Sequence, residues 1–175
     1  MTSKDNDASS NSKFLLMTKN EGLTFAANDS LLADPNVWIA DSGATSDTTA
    51  HEIGMTNTKV ASDEDNITDA SGNNVSGKTV GDLKGVIYSR QGKELHDATI
   101  KELVYVPGSS FNLFSVSKRL ENGWKVGRNA NVIWLEKGDY KILFGIKIKT
   151  PKGALFCAYF KRKEVATTAK KNGKQ

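Results

Sequence analysis

The apolar positions of this chain fall in short β-branched or aromatic runs separated by turn residues, and few of them recur at helical spacing. Val37 to Ala40, Gly85 to Tyr88, Thr99 to Leu103 and Leu103 to Val106 read as strands, with Arg90-Gln91-Gly92-Lys93 as a turn between the second and third. From Val132 the pattern predicts a three-stranded meander of Val132 to Leu135, Tyr140 to Ile148 and Ala154 to Phe160, turning at 136–139 and 150–153. One helix of about ten residues is predicted after the Pro107 to Ser110 break. Asn112 can cap it, Leu113, Val116 and Leu120 share a face, and Asn122-Gly123 suits its end. The expected fold is all-β with one short helix.

Two polar-rich segments, Asn66 to Asp69 and Gly77 to Leu83, are joined through 70–74. Glycine and asparagine tolerate positive φ, so Ser71, Gly72, Asn73 and Asn74 are expected to form a hairpin tip. Few large apolar residues flank it, so it should project from the body. Residues 1 to about 30 are dominated by Ser, Asn and Asp and read as a loose leader, with order beginning near Asp34-Pro35-Asn36.

Composition narrows this picture. At 175 residues and 38% hydrophobic, the chain suits one ordinary domain with flanking segments better than two compact domains. One Cys, at 157, and two His, at 51 and 96, exclude a disulfide framework and a cysteine-based zinc site, so no metal or cofactor is expected. That cysteine usage fits a reducing compartment. No apolar run reaches 18 residues and the N-terminus has no signal-peptide core, so neither a membrane span nor secretion is indicated. Charge is uneven: from Leu31 to Val75 eight acidic residues face one Lys, whereas from Ser76 onward 20 basic residues face eight acidic ones. The basic tail, residues 161–175, is expected to be solvated or to make a weak, non-specific RNA or other polyanion contact.

The apolar run Val37-Trp38-Ile39-Ala40 leads straight into Asp41-Ser42-Gly43-Ala44-Thr45. A carboxyl at the end of a buried strand is costly unless something holds it. Asp-Ser-Gly alone usually makes only a turn. About 60 residues later come Leu103 to Gly108 and then Phe111-Asn112-Leu113-Phe114-Ser115-Val116-Ser117-Lys118. The two stretches, in this order, resemble the aspartic protease domain of Ty1/copia-type retrotransposon Gag-Pol polyproteins, over about 37–124.

The resemblance implies a retropepsin-like closed β-barrel or sandwich at 35–127. A Gag-like leader would occupy 1–34, and a basic β-rich segment preceding the integrase region would occupy 128–175. It implies Asp41 as catalytic carboxylate, Ser42 as the hydroxyl locking loops across a dimer, Gly43 as backbone close to substrate and Ala44 beside it. Ser71 to Asn74 would tip a flap over bound peptide.

Peptide hydrolysis without a metal or covalent nucleophile needs one carboxylate to activate water and one carboxylic acid to protonate the carbonyl. One Asp-Ser-Gly supplies half of that pair, so a homodimer with the site on its two-fold axis is expected, cutting the element's own polyprotein. The expected location is cytoplasmic, in virus-like particles. The family commonly has His where this chain has Asp47, so an added negative charge beside the site is expected to weigh against activity. The alternative is an inactive or host-adopted fragment that binds nucleic acid, or acts as a spacer, through its basic tail.

Overall fold

The computed structural model describes residues 29–68, 74–89 and 92–164. The expected leader lies almost wholly outside them, as do Ser71, Gly72, Asn73 and the tail beyond Glu164. After a single turn of helix, α1 (Asp29–Leu32), the chain forms β1 (Val37–Asp41), β2 (Thr48–Thr49) and β3 (Met55–Val60). An exposed acidic 3-10 turn (Asp63–Asp65) leads to the short hairpin β4 (Ile67–Thr68) and β5 (Asn74–Val75). The long antiparallel pair β6 (Thr79–Tyr88) and β7 (Glu94–Tyr105) follows, then β8 (Asn112–Ser115) and α2 (Val116–Glu121). The last strands are β9 (Lys125–Arg128), β10 (Ile133–Lys137), β11 (Tyr140–Phe144), β12 (Ile146–Thr150) and β13 (Gly153–Arg162).

Eight strands form one sheet in the order β12-β13-β1-β8-β2-β7-β6-β3, and β13 also pairs with β6 through Phe160↔Ile87. That extra pairing closes β13, β1, β8, β2, β7 and β6 into a near-barrel ring, with β12 and β3 as outer strands; the fold is all-β, as expected, and its ring includes β13 from the segment beyond residue 127. All five residues of β1 are buried. Its side chains alternate between two cores: Trp38 and Ala40 pack with Leu83, Phe114 and Phe160, while Val37 and Ile39 pack with Ile148 and Leu155. Burial on both faces is why β1 reads as a continuous apolar run rather than an alternating one.

The sequence-based elements differ from the observed ones at two places. The predicted helix loses its first turn to the sheet: Asn112 to Ser115 extend as β8 between β1 and β2, and Ser115 caps a six-residue α2 by accepting from the Lys118 amide. Pairing on both sides of β8 outweighs the helical spacing of Leu113, Val116 and Leu120. The predicted meander is split at Gly145. β11 pairs with β10, which pairs on its other side with β9, in a separate three-stranded sheet, whereas β12 and β13 join the large one. Leu135 and Phe144 of the small sheet are fully buried against the core that holds Trp38 and Phe114.

Two bulges mark β6. The register of β3 shifts between Thr56 and Lys59, and that of β7 shifts opposite Gly81 to Leu83. Asn57 and Glu102 take positive φ there, and Asp82 between them accepts from the Asn57 amide group at 3.1 Å and the Glu102 backbone N–H at 3.4 Å. An acceptor placed at both irregularities offsets the ladder bonds that bulges forfeit.

Candidate active site

The Asp-Ser-Gly stretch lies where β1 ends. Strands β1 and β8 run parallel, with Ala40 beside Phe114 and Asp41 beside Ser115. β8 also pairs with β2, so the loop 42–47 must pass over the end of β8 to join β1 to β2. Such a crossing needs backbone groups satisfied where no ladder can form. Gly43 donates its N–H to Asp41 Oδ1 at 2.8 Å, a local turn that asparagine and aspartate favour. The Ser115 hydroxyl donates to the Ala44 carbonyl, and the Ser117 hydroxyl donates to the Ser42 carbonyl. Two serines at the start of α2 thus hold the loop from beneath.

Asp47 anchors its far end. This carboxylate is fully buried and accepts from the Ser115 N–H at 2.8 Å. Arg119 Nη1 lies 2.7 and 2.6 Å from its two oxygens, and Lys118 Nζ 3.3 Å from one of them. The Arg119 guanidinium also lies over the Phe114 ring at 3.8 Å. The negative charge expected to disturb the site is therefore neutralised by two cations from one helix, and Asp47 ties the loop to α2. Buried ion pairs hold only when further hydrogen bonds complete them, as the Ser115 amide does here.

Of the sequence-derived site residues, the structure brings Asp41, Ser42, Gly43 and Ala44 together in this loop. Asp41 is 0% exposed, Ser42 and Ala44 are half-buried, and Gly43 is exposed. Asn74, the last residue of the expected flap tip, is exposed on β5; Ser71, Gly72 and Asn73 lie outside the described residues. A cavity of about 260 Å³ opens between the large sheet and the three-stranded one, among Trp38, Phe114, Trp124, Ile142 and Phe160, and Asp41 does not line it. Among the described residues no cluster of three or more His, Cys, Asp or Glu could hold a metal ion.

A second polar cluster sits behind the crossing, and sequence reasoning missed it. Arg162, 8% exposed, donates to the carbonyls of Pro35 (2.8 Å), His51 (2.9 Å) and Ile53 (2.8 Å) and to the Thr49 hydroxyl (2.6 Å). Asn112 accepts from that hydroxyl and the Ala50 N–H while donating to the Pro35 and Val37 carbonyls. Burial lowers Arg162 to about 10, and burial with the neighbouring guanidinium lowers His51. One cation held by uncharged acceptors is joined to β1, β2 and β8 at once. The Asn112 in Phe-Asn-Leu was a legible signal for part of this cluster; nothing in the basic Lys161-Arg162-Lys163 run distinguished Arg162. On β13, burial likewise pushes the Cys157 thiol up to about 12, which leaves it an inert core residue.

Residues 38–124 match the family described as Pol polyprotein, beta-barrel domain. No curated protein and no solved structure matches the chain. The matched span begins in β1 and ends just after α2, so it takes in the crossing with Asp41, Asp47 and Ser115, and it supports the chain as a segment of a retroelement Pol polyprotein.

Proposed function

We propose that this segment is a Ty1/copia-type aspartic endopeptidase that cuts its own polyprotein as a homodimer. The observation that carries the reading is Asp41 at the end of a doubly packed strand, with the Gly43 N–H on one carboxylate oxygen. A hydrogen bond from a backbone amide fixes the orientation of the carboxyl group. The second carboxyl comes from Asp41 of the partner chain. Two carboxyls about 3 Å apart share one proton, as in aspartic proteases generally, so one activates water while the other protonates the scissile carbonyl.

Within this reading Ser42 ties the two loops across the axis, Gly43 lets backbone approach the peptide, Ala44 lies beside it, and Ser71 to Asn74 cover it. The single chain encloses Asp41, so pairing requires loop 42–47 to present it at the two-fold axis; the exposed Gly43 and Thr45 lie at the loop's outer surface. Processing would take place inside the cell, in particles built from the polyprotein.

The complete burial of Asp41 favours a second reading, in which the carboxylate is structural and the segment is a non-catalytic spacer. Self-processing of a longer precursor, compared between the native sequence and Asp41→Asn, separates the two. The protease reading expects native cleavage in a dimeric fraction and none in Asp41→Asn, with both proteins unfolding at similar temperature. Cleavage by Asp41→Asn, or cleavage by a strictly monomeric native chain, overturns it. A native precursor that stays intact at concentrations where it dimerises leaves the spacer reading.

A further inference from the structure

The three-stranded sheet has an outer face that the barrel does not use. Leu135 sits opposite Val126 and Ile142, and this row packs inward on the core. Alternation therefore turns the neighbouring rows outward: Lys125, Glu136 and Lys141 in one, Gly127, Trp134 and Leu143 in the next. Gly127 is there because the half-buried indole lies on it; a Cβ at that position would come within 2.3 Å of the ring. Lys141 Nζ stands over the same ring, 5.3 Å from its centroid.

Beyond Trp134 the β9–β10 loop carries a further cation, because Lys147 Nζ donates to the Ala130 carbonyl. Lys149 shares its face of β12. Between Lys125 and Lys163 ten basic residues face two acidic ones, and all the basic residues except Arg162 are exposed. Cations thus bracket the Trp134 indole along β10 and its loop, over roughly 20 Å.

We infer that this face is a docking surface for single-stranded nucleic acid. Lysines supply sequence-independent attraction to phosphates, and an indole seated on glycine offers a platform on which an unpaired base can stack. A duplex keeps its base faces covered and an acidic peptide has none to stack, so the aromatic in the middle of the track selects a single strand. Glu136, between Lys125 and Lys141, is the one carboxylate in these two rows and opposes binding. The surface is separate from the signature loop and owes nothing to Asp41.

The test is fluorescence anisotropy of a labelled 15-nucleotide oligouridylate with the whole chain, titrated at 50 to 200 mM salt. Lys125→Glu with Lys141→Glu should weaken binding tenfold or more and lower the slope of log affinity against log salt by about 1.4, two phosphate contacts at roughly 0.7 each. Trp134→Phe should weaken it a few-fold with unchanged circular dichroism, Glu136→Gln should tighten it, and Asp41→Asn should leave it unaltered. Equal affinity of the double variant and the native chain overturns the inference. So does binding that vanishes only when residues 165–175 are removed, or a duplex or polyglutamate that binds as tightly as the single strand.

Discussion

The crossing at the end of β1 and the three-stranded sheet are built on opposite terms. The crossing buries Asp47, Asn112, Ser115 and Arg162 and gives each of them partners from segments far apart in the chain. The small sheet buries only apolar side chains on its inner face and leaves its charges in water. Buried polar groups are expensive to mispair, so the crossing has one well-defined arrangement and tolerates little change. The sheet's charged face is cheap to alter, so its charges are free to serve a partner. The consequence is an expected contrast in the cost of substitutions, steep in one region and shallow in the other.

The largest effect should come from Arg162→Met. The substitution keeps most of the side-chain volume but strips the donors from the Ile53 and His51 carbonyls and the Thr49 hydroxyl. A buried acceptor left unsatisfied costs about 1–3 kcal/mol, and some of these groups keep a second partner, so the expected loss is about 3–5 kcal/mol. Lys149→Met, on an exposed position of β12, should stay within about 0.5 kcal/mol. Urea denaturation of both variants checks the contrast. Equal midpoints would show that the crossing is no more demanding than the surface. A cost of the expected size would also place β13, whose Arg162 lies 38 positions beyond the family match, inside the same cooperative unit as the signature.

Of similar size is the Asp47 anchor. Asp47→Ala leaves the Arg119 guanidinium facing a void and the Ser115 N–H without its acceptor, which should cost about 3–5 kcal/mol. Arg119→Ala strands a buried carboxylate, with Lys118 still 3.3 Å away, and should cost less. If the pair acts as a unit, the double variant costs well under the sum of the two, with an interaction energy of about 1–3 kcal/mol. Additive losses in a thermal or urea double-mutant cycle would show that loop 42–47 is held by its serines alone.

How much of this was legible in the sequence follows from how local each signal is. The strands were visible because Val, Ile and aromatic runs carry β preference on their own, and the Asp41–Gly43 turn because it is closed within two residues. The first turn of the predicted helix failed because Leu113, Val116 and Leu120 satisfy helical spacing while the neighbours that claim Leu113, namely Ile39 on one side and Thr48 on the other, lie over 60 positions away. The split at Gly145 was hidden because a single glycine separates two runs of the same character. Asp47 was read as a surplus charge because its cations lie 71 and 72 positions on. Arg162 was read with the basic tail because nothing around it announces partners 109 to 127 positions back.

A smaller expected loss sharpens the other side of the comparison. Gly127→Ala places a methyl group where the Trp134 ring lies, so the indole or β9 must shift. Overpacking of this kind costs about 1–3 kcal/mol, but here the neighbour is a half-buried side chain on an outer face, and the lower end is expected. The disturbance should also stay local. Hydrogen exchange should accelerate across β9 and β10 while the amides of β1 and β8 keep their protection, since Trp134 faces away from the core that holds Leu135. Loss of protection at β1 would show instead that the small sheet and the barrel open together, and that the outer face is coupled to the crossing after all.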